Sequence, residues 1–227
     1  MSNLGFRMIR DIQRPGNELL EKFKNTQTAF IGDCVNRFYC LDSKIKMINK
    51  DSSIKMVGSA FTVKTRIADN LMVHKALDMV KPGDVIVIDA EGSTNAAIFG
   101  DHMVHMAINK KCAGYVVDGC IRDAEDIEKS KFPVFAIGVN PRGPYKDGPG
   151  EINVPISCGG VVVMPGDIIV GDRDGVAVIP LAEAESVLEK LQSIFTKEEK
   201  STKDNEEGTQ DRAWVDETLN NKGCELI

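Results

Sequence analysis

The sequence contains no apolar stretch close to the roughly 20 residues that a membrane-spanning helix needs. Residues 1–14 carry four charges and have no apolar segment of the kind found in a secretory signal. These charges are Arg7, Arg10, Asp11 and Arg14. We therefore expect a protein without a membrane partner and without a secretory leader.

Cysteine pairs of the CxxC type are also absent. The six cysteines are Cys34, Cys40, Cys112, Cys120, Cys158 and Cys224. In a chain of this size, such scattered cysteines are typical of reduced and mostly buried thiols. This spacing argues against a zinc finger or a disulfide framework and indicates a cytoplasmic protein.

Positive charge is scarce as well. The 227 residues include 34 acidic and 28 basic side chains, for a net charge of −6, and no basic run occurs. A nucleic-acid surface needs clustered Lys and Arg, so we expect no nucleic-acid partner. Hydrophobic residues make up 42% of the chain, which is ordinary for a globular domain with one core.

The middle of the chain predicts an α/β fold. After a loose arm (1–14), two helices and a strand (56–66), a helix is expected at 71–80. Apolar runs at 85–89, 114–118 and 134–139 then alternate with helices predicted at 97–111 and 123–129. Alternating strands and helices indicate a largely parallel sheet, and continuous apolar runs fit strands that are buried on both faces.

The second half of the chain has a different character. Residues 141–150 are rich in Pro and Gly, and short strands separated by turn residues follow up to residue 179. This pattern predicts a second, antiparallel layer, closed by a helix from 181 to about 197. We expect a single domain over residues 1–200 and a polar tail over 201–227 that is mobile or folds onto a neighbouring subunit.

The residues suited to chemistry lie in two loops that follow neighbouring strands. One loop spans 91–103 and the other spans 118–123. Ligands bind at the carboxyl ends of strands in open parallel sheets, so we expect these loops to meet. The loops supply Gly100, Asp101, His102, Met103, Arg122 and Asp123.

These residue types suit the binding of a small 2-oxo acid. Gly100 lets a ligand approach the backbone, and the amides of His102 and Met103 can hold a carboxylate at a helix N-terminus. Asp101 and Asp123 are hard oxygen ligands for Mg²⁺ or Mn²⁺. The forked guanidinium of Arg122 can bridge a carboxylate and a keto oxygen.

Each of these residues also has a simpler interpretation. Arg122 and Asp123 could form a turn ion pair, with Asp123 capping the next helix, and Asp101 could favour a helix dipole. A partly buried, hydrogen-bonded role fits His102 and His105 better than metal binding. An outward-facing strand position fits Lys64 better than a Schiff base, and Asp69 with Asn70 is most simply a helix cap.

In combination, these residues resemble the RraA-like family, in its 4-hydroxy-4-methyl-2-oxoglutarate and 4-carboxy-4-hydroxy-2-oxoadipate aldolase branch. The motif of that branch is an Asp, twenty residues, Arg-Asp and a nearby acidic residue. Here Asp101 is followed by residues 102–121, then by Arg122, Asp123 and Asp126. Supporting segments are 58–63, 69–70, 82–85 and 165–176, and the match covers about residues 28–191.

The resemblance implies a three-layer swivelling β/β/α domain with a parallel central sheet and a second antiparallel layer, assembled as a homotrimer or hexamer. It implies Asp123 as the direct ligand of Mg²⁺ or Mn²⁺, with Asp101 holding the waters of that ion. The loop amides and Arg122 would bind the pyruvate part of the substrate. Met103 stands where the family usually has leucine.

The activity implied is metal-dependent aldol cleavage of a 4-hydroxy-2-oxo acid to pyruvate, with accompanying oxaloacetate decarboxylation. Arg122 and Asp101 are the expected catalytic residues. A glutamate from the C-terminal helix of an adjacent subunit also reaches the site in such aldolases, and Glu198 or Glu199 is the candidate here. The alternatives are a non-catalytic regulator of a ribonuclease, as in the RraA branch, and a Schiff-base aldolase that uses Lys64.

Overall fold

A computed structural model describes residues 3–225 and 227. Within this part of the chain, the main sheet has nine strands and a two-stranded hairpin forms a separate sheet. The strands of the main sheet are β1 (Phe6–Met8), β2 (Lys46–Met47), β3 (Met56–Thr65), β4 (Asp84–Phe99), β5 (Gly114–Ile121), β6 (Val134–Val139), β7 (Gly150–Ile152), β10 (Ile168–Asp172) and β11 (Gly175–Ile179). The hairpin consists of β8 (Ile156–Cys158) and β9 (Val161–Val163).

The helices lie between these strands in the chain. They are α1 (Asn17–Phe23), α2 (Thr28–Cys34), α3 (Leu71–Met79), α4 (Asp101–Asn109), α5 (Ala124–Lys129), α6 (Ala184–Glu207) and α7 (Ala213–Asn221), with a 3₁₀ turn at Leu181–Glu183. The helix that was predicted to end near residue 197 therefore continues to Glu207. In the part of the chain that the structure describes, no helix combines the length and apolar character needed to cross a bilayer.

The order of the main sheet is β1-β7-β3-β4-β5-β6-β2, and β10 with β11 branches from β3. Strands β3, β4, β5 and β6 are parallel neighbours, whereas β10 pairs with β3 and β11 in the antiparallel sense. The predicted α/β class, with a parallel central sheet and a second antiparallel layer, is confirmed.

Both faces of the parallel strands are buried, which explains their continuous apolar runs. On β4, Ile86 and Ile88 face a core shared with α3 and α4. The intervening Val85 and Val87 face a second core, shared with the β8–β9 hairpin. Because neighbouring residues of a strand point to opposite faces, a strand covered on both sides needs apolar residues at every position.

The structure corrects two of the predicted boundaries. The arm over residues 1–14 contains β1, which pairs with β7, and Arg14 binds the buried carboxylate of Asp84 through two bonds of 2.8 and 2.9 Å. Strand β4 does not end at Asp89 but continues through shifts in register to Phe99, so that α4 begins only at Asp101. Pairing with β5 outweighs the turn-forming composition of residues 91–96.

The chain divides into two compact units, the first ending at Leu188 and the second beginning at Glu189. The first unit holds the sheets described above, and the second holds the later part of α6 and the whole of α7. The expected domain over residues 1–200 with a tail over 201–227 stays a prediction. Four of the six cysteines are buried, as expected, and Cys40 and Cys224 are exposed.

Candidate functional site

The two predicted loops meet at the carboxyl ends of β4 and β5. Phe99 and Ile121 are register partners in the sheet, and the backbone N–H of Arg122 donates to the carbonyl of Phe99 at 3.0 Å. Helices α4 and α5 begin directly after these strands. The start of α4 therefore faces Arg122 and Asp123 across a short gap.

Asp123 has a left-handed backbone, with φ of 56° and ψ of 40°, at the residue before α5. Its side chain makes no capping bond to α5, so the interpretation of Asp123 as a helix cap is wrong. The carboxylate turns to the other helix, where its Oδ2 accepts the backbone N–H of Asp101 at 3.2 Å. The positive end of α4 thus stabilises the negative charge of this carboxylate.

Gly100 is required by the position of this carboxylate. A Cβ at residue 100 would overlap with Oδ2 of Asp123 and would stand 2.9 Å from Cγ of Arg122. The backbone at Gly100 is extended, so steric room and not φ selects glycine here. The missing side chain leaves the α4 terminus open to Asp123 and to a ligand.

Arg122 and Asp123 form a loose pair at the protein surface. Nε of Arg122 lies 3.5 Å from Oδ2 of Asp123, and the two side chains are 44% and 37% exposed. A pair this open contributes little to stability. Both groups keep faces that a dissolved ligand can reach.

The first turn of α4 offers fewer amides than the sequence suggested. The N–H of Asp101 is bonded to Asp123, and the N–H of Met103 donates to the carbonyl of Gly100 at 3.0 Å. The N–H of His102, at the second position of the helix, has no acceptor within the helix. His102 is therefore the most available of the predicted carboxylate-binding amides.

The histidine side chains differ from the expected partly buried arrangement. His102 is exposed, and His105 is 68% exposed, with Nδ1 lying 3.1 Å from Oδ1 of Asp101. Asp101 itself is only 25% exposed. His105 thus holds one oxygen of Asp101 beside the start of α4.

Asn70 is a buried residue that contacts the end of β4 and the first turn of α4, a role that the sequence did not indicate. It is 3% exposed, and its Nδ2 donates to the carbonyl of Ile98 at 2.8 Å and lies 3.5 Å from Sδ of Met103. Of the two residues expected to cap the helix, Asp69 makes the bond, since its Oδ1 accepts the N–H of Leu71 at 3.0 Å, and Asn70 does not. Only the contact between residues distant in sequence reveals the role of Asn70.

Tyr115 lies against the first turn of α4. Its ring stacks on Phe99 with centroids 4.3 Å apart, and its hydroxyl reaches the carbonyl of Met103 at 3.4 Å. Burial raises the pKa of this hydroxyl well above its ordinary value. Tyr115 therefore keeps its proton and acts as a structural donor.

Lys64 lies elsewhere. It is an exposed residue of β3, as the simpler interpretation predicted, and lines a cavity with Arg66, Glu91 and Glu151. Glu91 and the buried Glu151 place two carboxylates in this cavity. The cavity therefore differs from the apolar pocket that activates a Schiff-base lysine.

The residues at Asp123 fit one kind of metal ion. Among residues 3–225 and 227, no group of three or more His, Cys, Asp or Glu side chains could enclose a metal. Asp123 offers a single, 37% exposed carboxylate at the start of α4. Mg²⁺ commonly binds through one or two carboxylates and keeps several waters, so this donor set fits such an ion.

The chain is similar to known proteins of one family. The family model described as RraA-like (Aldolase/RraA) matches residues 28–178. A Halalkalibacterium halodurans protein named "Putative 4-hydroxy-4-methyl-2-oxoglutarate aldolase" is 46% identical over 173 residues, which are 76% of this chain and 81% of that protein. A Thermus thermophilus protein named "4-hydroxy-4-methyl-2-oxoglutarate aldolase" is 35% identical, covering 56% of this chain and 84% of that protein.

A solved structure adds a different name. Streptomyces coelicolor RraAS2, described as an unusual member of the RNase ES inhibitor RraA protein family, matches with a TM-score of 0.74 and 28% identity. The match covers 85% of this chain and 99% of that one. The predicted resemblance is confirmed, and the relatives carry both aldolase and inhibitor names.

Proposed function

Because the chain belongs to the RraA-like family, we propose that it is a divalent-metal-dependent lyase that cleaves a 4-hydroxy-2-oxo acid, such as 4-hydroxy-4-methyl-2-oxoglutarate, to pyruvate. Oxaloacetate decarboxylation is proposed as an accompanying activity. The observation that carries the proposal is the position of Oδ2 of Asp123, 3.2 Å from the amide of Asp101 and 3.5 Å from Nε of Arg122. A hard anionic ligand, a helix N-terminus and a permanent cation meet at one point. The aldolase names of the relatives support a lyase.

Substrate binding follows from the groups around this point. The guanidinium of Arg122 donates to the 2-keto oxygen and to one oxygen of the adjacent carboxylate. The N–H of His102, at the positive end of α4, donates to the other carboxylate oxygen, with the N–H of Met103 beside it. Gly100, which has no side chain, leaves room for the Asp123 carboxylate and the Arg122 side chain beside these donors.

Asp123 would hold the metal ion, either Mg²⁺ or Mn²⁺. When bound, the ion would supply Lewis-acid polarisation of the 2-keto group. Asp101, fixed by His105, would orient a water molecule on the same side of the site. The role of the chain is thus to place the substrate and this water with little freedom to move.

Cleavage of the C3–C4 bond begins with removal of the proton of the 4-hydroxyl. The water held by Asp101 takes the proton of the 4-hydroxyl and passes a proton of its own to the Asp101 carboxylate, the C4–O bond becomes a carbonyl, and the C3–C4 bond breaks. The electron pair of that bond forms the enolate of pyruvate, whose oxygen Arg122 stabilises. Protonation at C3 releases pyruvate, and loss of carbon dioxide from oxaloacetate gives the same enolate.

The first test is pyruvate release from 4-hydroxy-4-methyl-2-oxoglutarate and from oxaloacetate, with Mg²⁺ and with EDTA. We expect metal-dependent turnover of both, and a fall in kcat of about 100-fold or more for Arg122→Ala, since one preorganised donor contributes about 10²–10³ in rate. Arg37→Ala is the matched control, because Arg37 lies in the turn after α2, is 81% exposed and pairs with Asp33. Full activity of Arg122→Ala or of the EDTA-treated protein would contradict the mechanism.

A second candidate function is a non-catalytic regulator of a ribonuclease. The similarity to the Streptomyces coelicolor RraAS2 structure favours it. A pure binding protein has no need of a metal-ligating carboxylate at Asp123, which favours the enzyme. Stable co-purification with a ribonuclease, together with no turnover of either 2-oxo acid, would reverse this order.

A Schiff-base aldolase is the third candidate. Borohydride reduction in the presence of pyruvate would attach the substrate to Lys64 in that mechanism. We expect no labelled protein by mass spectrometry. Lysine labelling that is lost in Lys64→Arg would replace the metal-dependent mechanism with this one.

A further inference from the structure

A turn after β6 lies directly against the guanidinium of Arg122. A Cβ built at Gly143 would stand 3.0 Å from one terminal nitrogen of Arg122. At its other end, the Arg122 side chain passes Gly100, where a Cβ would come within 2.9 Å of Cγ. Two glycines therefore border this side chain, one at its stem and one at its tip.

The turn is fixed by the side chain of Asn140. Its Nδ2 donates to the carbonyl of Thr94 on β4 at 2.8 Å, and its Oδ1 accepts the N–H of Arg142 at 2.8 Å. The backbone N–H of Asn140 also donates to the carbonyl of Ile121 at 2.9 Å, at the end of β5. One half-buried residue thus links three segments around the candidate site.

A further backbone bond completes the connection. The carbonyl of Arg142 accepts the N–H of Ala97 at 2.8 Å, which binds the turn to β4 a second time. Gly143 is the next residue, so its position follows from the bonds of Asn140 and Arg142. On the other side of Gly143, Tyr145 accepts the N–H of Asn70 at 3.0 Å and donates to the carbonyl of Ala68 at 2.7 Å, so the loop is held on both sides of this glycine.

We propose that Asn140 is a positioning residue for Arg122. By fixing the turn over residues 140–143, it restricts the Arg122 guanidinium to the orientation that faces Asp123 and the start of α4. The proposal rests on the proposed function for its kinetic consequence, but its structural content concerns Arg122 alone. The two parts can therefore fail separately.

The structural part is tested by NMR of the ¹⁵N-labelled full chain. The Nε–H signal of Arg122 is assigned by its loss in Arg122→Lys. We expect Asn140→Ala to shift or broaden that signal, and Gly143→Ala to shift it because the new methyl group displaces the guanidinium. Asn95→Ala and Gly16→Ala are matched controls, since Asn95 is an exposed residue of the same β4 segment and a Cβ at Gly16 meets nothing within 4 Å.

The kinetic part is tested by a double-mutant cycle. Asn140→Ala should lower kcat/KM for 4-hydroxy-4-methyl-2-oxoglutarate by about tenfold or more, as expected for a misplaced binding group. In the Arg122→Ala background, the same substitution should change kcat/KM by less than about twofold, because the residue it positions is gone. A purely structural role would lower activity equally in both backgrounds.

The outcomes are distinct. An unchanged Arg122 signal in Asn140→Ala overturns the positioning role, whatever the activity and whatever the effect of Gly143→Ala. If the Arg122 signal changes but Asn140→Ala lowers kcat/KM equally in the unmodified and Arg122→Ala backgrounds, the kinetic part of the proposal is overturned. If the unmodified protein turns over neither substrate, the proposed function fails, while the NMR measurement still decides the position of Arg122.

Discussion

Two aspartates, five positions apart at the end of one strand, differ sharply in their surroundings. Asp118 lies on β5 and accepts the N–H of Gly159 at 2.9 Å, whereas Asp123 follows β5 and accepts the N–H of Asp101 at 3.2 Å. Burial raises the pKa of the Asp118 carboxyl, and the nearby Asp89 and Asp42 raise it further. Asp123 instead has Arg122 beside it and a side chain that is 37% exposed.

A backbone hydrogen bond therefore does not distinguish a structural carboxylate from a candidate metal ligand. Both aspartates have one. The difference is the exposure of the Asp123 side chain, which is 37%, together with the left-handed backbone that turns Asp123 away from its own helix. Access for a ligand, and not the donor–acceptor distance, separates the two.

Closing the space at Gly100 should have the largest effect. Gly100→Ala places a methyl group where Oδ2 of Asp123 lies, so we expect kcat/KM for 4-hydroxy-4-methyl-2-oxoglutarate to fall by about 100-fold or more. Gly16→Ala, with open space around its Cβ, should leave activity unchanged. A Gly100→Ala protein with full activity would show that the space is not needed.

The left-handed backbone of Asp123 is tested by stability. Asp123→Gly and Asp123→Ala both remove the carboxylate, but the glycine variant should have a free energy of unfolding higher by about 1 kcal/mol, because a Cβ is unfavourable in the left-handed region. Urea denaturation measures the difference.

The control variants are Asp174→Gly and Asp174→Ala. Asp174 is an exposed residue whose φ is not positive. There the alanine variant should be the more stable of the two, since glycine gives the unfolded chain more freedom. If the same variant, glycine or alanine, had the higher free energy of unfolding at both positions, there would be no evidence for strain at Asp123.

The smallest effect is expected at Asp118. A carboxyl whose pKa is raised in the folded protein binds its proton more tightly there, so the free energy of unfolding falls as pH rises through that pKa. Asp118→Asn removes this pH-dependent loss of stability, and the amide oxygen of the new side chain can still accept the N–H of Gly159. The variant should be more stable than the unmodified protein at pH 7, with the advantage shrinking towards the ordinary carboxyl pKa of about 3.9.

Urea denaturation between pH 4 and pH 7 checks this dependence, with Asp174→Asn as the control at an exposed position. Activity should remain, since Asp118 lies outside the proposed binding groups. A stability difference that stays constant over the whole range would show that burial does not act on this carboxyl.

The sequence predicted the parts of the fold that depend on local pattern. Apolar runs followed by helices identify β4, β5 and β6, and the glycine and charged residues after them identify the candidate site. The extension of β4 over residues 91–99 was missed, because its composition favours a turn and only pairing with β5 makes it a strand.

The supporting residues were missed for a related reason. Asn70 acts on Ile98, 28 positions away, and Asn140 acts on Thr94, 46 positions away. A polar residue near a turn has the same local pattern whether it caps a helix or binds a distant carbonyl. The direction of the Asp123 carboxylate was likewise not predictable, because a helix N-cap is the commoner use of Asp at that position.

The bond between Asn140 and Thr94 also has a consequence for synthesis and folding. Contacts between residues far apart in sequence form after local ones, since closing the intervening loop costs entropy. A nascent chain that has reached Asp123 holds every group proposed to touch the substrate, yet it lacks the turn that borders Arg122. Recovery of pyruvate-forming activity during refolding would therefore report the docking of the segment after β6, and not the earlier formation of β4 and β5.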